Sequence, residues 1–197
     1  MDCPPGVDQE KGDKVEGKGK RFLKRNMVSK ELIRSILGRY TLPLEGNHGV
    51  PHWARVLENG RRLLQVTGGR RAVVELFAVF HDSQRINESI DDGHGRRGAE
   101  LARELRGVGY ELGDEEFGLL IQACDLHTEG YVDGDITVQT CWDADRLDLE
   151  RVGITPRPDK LCTDGARDPD FLKWAVERSQ RLFVPALVSE EWKVRLP

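Results

Sequence analysis

Apolar residues recur every three or four positions through most of this chain, and the runs end at glycine, proline or a polar turn. The first run includes Leu32, Ile33 and Ile36; it follows Ser29, a favourable helix N-cap residue, and stops at Gly38. Such spacing places one apolar stripe on an α-helix. The pattern predicts helices over about 27–38, 51–66, 70–82, 94–106, 114–128, 136–152 and 169–183. We therefore expect an all-α fold, a helical bundle of about six to seven helices.

The N-terminal segment differs in composition from the rest of the chain. Residues 1–20 contain two β-branched residues, Val7 and Val15, and no aromatic residue among many Gly, Lys, Asp and Glu. Such a segment cannot bury enough apolar surface to fold, so we predict a disordered tail over residues 1–22. We expect residues 23–197 to form a single domain, with the C-terminal helix and tail packed on its body.

The composition is that of an ordinary soluble globular protein. Of 197 residues, 38% are hydrophobic and 32% are charged, and the net charge is −4. This mild acidity argues against an extended nucleic-acid surface, although a few local arginines could hold an anionic ligand. No apolar run reaches the roughly 18 residues that a membrane span needs, and the N-terminus lacks a signal-peptide core. We expect a cytoplasmic protein that does not contact a membrane, and we leave its oligomeric state open.

Two polar residues close an apolar run at Phe80-His81-Asp82-Ser83. His81 follows Phe77 by four positions and Val74 by seven, so it shares the buried side of the predicted helix. Other helices of the middle region also bring a metal-capable side chain to an apolar face. These residues are His52, His94, His127 and Asp145. Each alone is more typical of a core histidine or a buried salt bridge, but together they favour one shared cause.

The side chains of this set combine nitrogen and oxygen. Imidazole and carboxylate together suit Mn, Fe, Co, Ni or Zn, whereas Mg or Ca would prefer oxygen alone. Asp145 falls in an apolar stripe three residues after Trp142. Asp143 in the same turn is the other candidate ligand, although a turn or cap role would also explain it. His48, in a glycine-containing turn, fits a loop residue better than a ligand.

The order His, then His-Asp, then Asp on successive helices resembles the HD-domain superfamily of metal-dependent phosphohydrolases. The resemblance is carried by His52 in His52-Trp53-Ala54-Arg55-Val56, by His81-Asp82, and by Asp145 in Asp143-Ala144-Asp145-Arg146-Leu147-Asp148. It covers the range 48–153, a little over half of the chain. It implies an HD-domain helical bundle in which one divalent transition metal is held by His52, His81, Asp82 and Asp145.

His94 and His127 lie in the interval where members of this superfamily often have further histidines. In some members these histidines bind a second metal, and in single-metal members they contact phosphate or the attacking water. The spacing of 12 residues from Asp82 to His94 favours one metal. A second metal at His94 and His127 is the alternative. We assign His94, His127 and Asp82 to catalysis on the basis of the resemblance.

The resemblance implies hydrolysis of a phosphate ester or anhydride, in a nucleotide or another small phosphorylated substrate, by metal-activated water. Arg85, Arg96 and Arg97 are the arginines best placed in sequence to bind phosphate. Arg96 and Arg97 could equally form a solvated charge cluster.

Other interpretations of the same residues stay open. A di-iron oxygenase could use all six metal-capable side chains, and a regulatory module could bind a ligand without catalysis. Glu88 and Glu129 are candidate bases that are more typical of surface residues. Trp53 and Trp142 could stack on a nucleobase, but packing in the core is the commoner role of such residues. The sequence does not identify the substrate.

Overall fold

The structure of this chain is a computed structural model that describes Met1 and residues 27–197. Apart from Met1, the tail predicted over residues 1–22 lies outside the described residues. Within the described ranges the regular structure comprises nine α-helices and no β-strand. The helices are α1 (Lys30–Leu37), α2 (Val50–Thr67), α3 (Arg71–Phe80), α4 (His94–Leu105), α5 (Asp114–Leu126), α6 (Ile136–Arg146), α7 (Asp164–Arg167), α8 (Pro169–Gln180) and α9 (Leu187–Glu190).

The predicted all-α class is confirmed. Seven of these helices have eight residues or more and match the seven predicted segments, whereas α7 and α9 have four residues each. Helices this short contain too few residues for an apolar stripe to reveal them. At the start of α1, Ser29 accepts a hydrogen bond of 3.1 Å from Leu32 N, as expected of an N-cap.

The sixth helix is shorter than its apolar pattern predicts, because it ends at Arg146 rather than near residue 152. Beyond it, Asp148 N donates to Asp145 O at 2.8 Å, an i,i+3 bond that tightens the backbone. A 3-10 helix over Leu149–Val152 follows. Through this change of pitch, the Asp148 side chain reaches His52 of α2.

α3 lies at the centre of the bundle, where α1, α2, α4, α5 and α6 all pack against it. Every residue from Val73 to Phe80 is buried, as expected for a helix that is apolar on nearly all sides. Glu75 is the one charged residue in this buried stretch. Its carboxylate accepts hydrogen bonds from Arg61 at 3.0 Å and from Arg71 at 2.8 Å. These bonds offset the cost of burying its charge.

Two glycines bring α4 close to the carboxyl ends of α3 and α5. A Cβ on Gly98 would lie 2.3 Å from Phe80 O, and a Cβ on Gly95 would lie 2.3 Å from Cys124 O. Neither position leaves room for a side chain. Because α4 is held this close, its first residue, His94, lies beside the ends of both neighbouring helices.

The segment after α8 packs on the rest of the protein. Leu187 and Val188 of α9 are buried, and so is Trp192 beyond it. At the start of α8, Asp168 accepts a hydrogen bond of 2.8 Å from Phe171 N and so caps the helix. Of the helices in the described residues, none combines the length and the apolar character needed to cross a bilayer.

Replacing Gly98 with alanine should destabilise the protein, although alanine usually favours a helix over glycine by about 1 kcal/mol. The added Cβ would meet Phe80 O and push α4 away from α3, and we expect the free energy of unfolding to fall by about 1–3 kcal/mol. Gly118→Ala is the matched control, because Gly118 is exposed on α5 and nothing lies within 4 Å of the added Cβ. Urea denaturation measures both changes. Equal stabilisation of the two variants would contradict the close packing of α4 on α3.

Candidate metal centre

Five helices bring metal-capable side chains to one buried point near their ends. All six of these residues are at most 9% exposed. They are His52 in the first turn of α2, His81 and Asp82 directly after α3, His94 at the start of α4, His127 directly after α5, and Asp145 in the last turn of α6. The structure therefore brings together all the residues predicted from the sequence as metal ligands or catalytic residues.

His52, His81, Asp82 and Asp145 are called the first group below. The Nε2 atoms of His52 and His81 lie 3.0 Å apart. Asp82 Oδ2 lies 3.4 Å and 3.7 Å from these two nitrogens, and Asp145 Oδ1 lies 3.4 Å and 3.6 Å from them. Two ligands about 2.1 Å from one ion are about 3.0 Å apart at a right angle and about 3.4 Å apart at the tetrahedral angle. The spacing of His52, His81 and Asp82 therefore fits one divalent ion, and Asp145 lies beside the two imidazoles of this set.

The imidazoles of the first group use their Nδ1 atoms to bind other acceptors. His52 Nδ1 lies 2.8 Å from Asp148 Oδ2, and His81 Nδ1 lies 3.1 Å from Phe77 O. A neutral imidazole that donates from Nδ1 carries a lone pair on Nε2. Two imidazole lone pairs thus face two carboxylate oxygens, and one of these oxygens, Asp145 Oδ1, has no hydrogen-bond partner among the described residues. Such a set of acceptors is suited to binding a cation.

His94, His127 and the other oxygen of Asp82 form a second group. The two Nε2 atoms lie 3.0 Å apart, and Asp82 Oδ1 lies 3.1 Å from His94 Nε2 and 3.7 Å from His127 Nε2. The Nδ1 atoms again bind acceptors, Asp91 O at 2.6 Å and Cys124 O at 2.8 Å. Asp82 therefore stands between the groups, with Oδ2 facing the first and Oδ1 facing the second.

Arg85 lies beside the second group. Its Nη1 lies 3.2 Å from His94 Nε2 and 3.7 Å from Asp82 Oδ1. Its other nitrogens donate to Ser89 O at 2.5 Å and to Asn87 O at 3.3 Å, and these bonds hold the guanidinium in place. An arginine lies beside each group, Arg85 beside Asp82 Oδ1 and Arg151 3.8 Å from Asp82 Oδ2, but the second group has one carboxylate and the first group has two. A divalent ion is better matched in charge to the first group.

The two carboxylates are ionised despite their burial. Burial raises the pKa of Asp82, but the charge of His81 and hydrogen bonds to the other three imidazoles outweigh it and hold the pKa well below 3.8. Burial likewise raises the pKa of Asp145, and His81, His52 and Arg151 bring that pKa below its usual value. Both residues therefore offer charged oxygen ligands at neutral pH.

Asp143 and Asp145, the two candidate ligands in one turn, have different surroundings in the structure. Asp143 Oδ1 accepts a hydrogen bond of 2.7 Å from Cys162 N. Asp143 Oδ2 accepts from the backbone N and the Oγ1 of Thr163, each at 2.8 Å. Asp143 thus anchors the segment before α7, whereas Asp145 faces the imidazoles of the first group.

A cavity of about 290 Å³ opens on the two groups. This volume is just below the range of about 300–1,000 Å³ that is typical of small-molecule sites. Asp82, Asp145, Arg85 and both histidines of the second group line it. His52 and His81 are fully buried and do not line it. The cavity therefore suits a small ligand that would reach the metal-capable residues from one side.

Two of the three arginines predicted to bind phosphate do not line this cavity. Arg96 is exposed, and Arg97 donates to both carboxylate oxygens of Asp91, at 2.6 Å and 2.7 Å. Asp91 also accepts from Ile86 N at 2.8 Å, so the pair holds the loop between α3 and α4. The geometry gives no support to a substrate-binding role for Arg96 or Arg97.

Trp53 and Trp142 belong to the core, with exposed fractions of 0% and 1%. Their indole N–H groups donate to His48 O at 2.8 Å and to Ala123 O at 3.1 Å. Neither ring has a face left for a nucleobase. Glu129, one of the two candidate bases, is exposed and does not line the cavity.

Sequence reasoning gave no role at the site to three residues that the structure brings there. His48, predicted to be a loop residue, lines the cavity, and its Nδ1 lies 2.7 Å from Glu88 Oε2. Asp148 binds an imidazole of the first group, and Arg151 lines the cavity. Asp148 and Arg151 follow Asp145 by three and six positions, and this regular spacing was the signal that could have indicated them.

Asp148→Asn should weaken metal binding. The carboxylate accepts hydrogen bonds from His52 Nδ1 at 2.8 Å and from Arg55 Nε at 2.7 Å, and an asparagine amide could donate to the imidazole and reverse its tautomer. Losing a partner of this kind lowers metal affinity by about 10–100-fold, which calorimetric titration with Zn²⁺ or Mn²⁺ measures. Asp159→Asn, at an exposed residue paired with Arg157, is the control. Thermal unfolding of the metal-free proteins separates loss of fold from loss of affinity, and unchanged affinity in Asp148→Asn would contradict this role.

Comparisons with family models, with curated proteins and with solved structures find no match to this chain.

Proposed function

We propose that this protein is a metal-dependent phosphohydrolase of the HD-domain type that acts in the cytoplasm on a nucleotide or another small phosphate ester or anhydride. The observation that carries the proposal is the first group, where two imidazole lone pairs and two ionised carboxylates converge beside a cavity. The order of these residues along the chain is the order that resembles the HD-domain superfamily. Arginines at the cavity supply positive charge for a phosphate.

The proposed cofactor is one divalent transition metal held by His52, His81, Asp82 and Asp145. Mixed imidazole and carboxylate ligands suit Mn, Co, Ni, Zn or Fe. An ion bound there would act as a Lewis acid toward a phosphoryl oxygen and would lower the pKa of a water molecule.

The second group supplies the proton transfers that hydrolysis requires. Water attacks phosphorus, the bond from phosphorus to the leaving oxygen breaks, and the leaving oxygen takes up a proton. His94 and His127 line the cavity, and their rings are held through Asp91 O and Cys124 O. One imidazole can accept the proton of the attacking water, and an imidazolium can deliver a proton to the leaving oxygen.

Loaded with Mn²⁺ or Co²⁺, the protein should release phosphate or pyrophosphate from at least one member of a panel of nucleotides and small phosphate esters. Asp82→Ala removes the carboxylate shared by both groups and should lower turnover at least about 100-fold. Asp125→Ala, at an exposed position of α5, is the control and should keep its activity. Equal activity of the two variants would contradict hydrolysis at this site. An inert wild-type protein that still binds metal would favour a non-catalytic ligand-binding module.

A di-iron oxygenase is the second candidate function, and the position of Asp82 favours it. Its two oxygens face two separate imidazole pairs, as those of a carboxylate bridging two ions would. Arg85 argues for a single ion, because its guanidinium already provides a positive charge beside the second group. The number of bound ions therefore separates the two candidates.

We expect elemental analysis to find one metal ion per wild-type chain. Arg85→Ala should raise this number towards two, because it removes the fixed positive charge beside Asp82 and leaves the second group without a cation. Arg96→Ala, which removes an exposed arginine, is the control and should leave the number at one. Two irons in the wild-type protein, together with oxygen-dependent turnover, would instead favour the oxygenase.

A further inference from the structure

Arg151 lies in the 3-10 helix after α6, and its side chain is only 4% exposed. Its Nε donates to Asn47 O at 2.8 Å, and its Nη1 donates to Asp148 O at 2.9 Å. Its backbone N donates to Ser179 Oγ of α8, also at 2.8 Å. The guanidinium is therefore held in place by the fold, and it loses little freedom when a ligand binds.

The remaining nitrogen of Arg151 is not used in this way. Its Nη2 forms an ion pair with Asp82 Oδ2 at 3.8 Å, which is longer than a hydrogen bond. Among the described residues Nη2 has no hydrogen-bond acceptor, and Arg151 lines the cavity beside the metal-capable residues. A buried guanidinium with unused donors at a cavity is suited to an anion.

The other arginines around the cavity have their nitrogens committed to the protein. Arg146 donates from both terminal nitrogens to carbonyl oxygens. Arg85 donates from Nε and Nη2 to carbonyl oxygens, and its Nη1 lies against the ring of His94. Arg151 therefore has the donor that is best placed to bind a ligand.

We propose that Arg151 binds a phosphoryl oxygen of the substrate, and that the substrate is a phosphate monoester. This inference rests on the proposed hydrolase function. The charged side chains that line the cavity are three arginines and two aspartates, so the lining has a net charge of +1 before any metal binds. A divalent ion increases this positive charge. A monoester dianion balances more of it than a diester, which carries a single negative charge.

The neighbours of Arg151 indicate where the organic part of the ester lies. Leu149 and Val152 belong to the same 3-10 helix and also line the cavity. The helix therefore presents one cation and two apolar side chains to the ligand. With a cavity of about 290 Å³, this wall suits the ester of a small alcohol.

Calorimetric titration of the Mn²⁺-loaded protein with inorganic phosphate tests the anion site directly. Arg151→Gln should weaken phosphate binding about 10–100-fold, because a charge-assisted hydrogen bond is lost. Its metal content should stay unchanged, since Arg151 is not among the proposed ligands. Arg157→Gln, at an exposed arginine, is the matched control and should bind phosphate normally. Arg151→Lys keeps the charge and should lose less affinity; it replaces Arg151→Gln if that variant does not fold.

A matched pair of esters, p-nitrophenyl phosphate and bis(p-nitrophenyl) phosphate, tests the substrate class. The wild-type protein should prefer the monoester, and Arg151→Gln should reduce this preference at least about tenfold, mainly through a higher KM for the monoester. A wild-type protein that binds no phosphate, or a folded Arg151→Gln with unchanged phosphate affinity or unchanged preference, overturns the inference. If the variant loses phosphate binding but the wild type hydrolyses no ester, the hydrolase function fails, whereas Arg151 is supported as the anion-binding residue.

Discussion

The carboxylate of Asp82 is buried between two pairs of imidazoles, and the side chains around it must keep it charged. A carboxylate in a protein interior is costly unless it is paired and hydrogen-bonded. Imidazoles keep it charged when they carry a second proton, on Nε2. When their only proton is the one on Nδ1, directed to Asp148 and to three carbonyl oxygens, they cannot donate to it. The charge balance of this interior is thus incomplete without a cation. Metal binding would therefore contribute to the stability of the core as well as to chemistry.

Close packing, more than polar contact, sets the positions of the side chains around Asp82. α3 is buried along its length, and α4 approaches it at Gly98 and approaches α5 at Gly95, where no side chain would fit. This approach brings His94 Nε2 within 3.0 Å of His127 Nε2. Because the interior is close-packed, a shift of one imidazole requires a whole helix to move. The geometry of both groups is therefore a property of the bundle rather than of loops.

Helical periodicity explains how much could be predicted from the sequence. The all-α class followed from the apolar stripes, and His81 and His127 were predicted to face inward because they lie in phase with those stripes. The prediction from apolar spacing was wrong after α6, because the backbone there tightens to a 3-10 helix and the side chain of Arg151 reaches the cavity. The sequence could not single out Arg151, the arginine proposed to bind phosphate, because side-chain contacts in non-helical segments decide which arginines reach the cavity. The direction of Arg97 is set by Asp91, in a loop without periodicity.

Asp148 connects the candidate metal centre to the proposed anion site. Its side chain accepts from His52 Nδ1 at 2.8 Å, and its carbonyl oxygen accepts from Arg151 Nη1 at 2.9 Å and from Ser179 Oγ at 2.8 Å. One residue thus positions an imidazole of the first group with its side chain and the guanidinium with its backbone. A site that binds a metal ion and a phosphoryl oxygen for reaction must hold the metal ligands and the anion-binding group at a fixed distance from each other. The change of pitch after α6, which the apolar pattern did not reveal, would fix that distance between the proposed metal and the proposed anion site, because Asp148 and Arg151 lie one 3-10 turn apart.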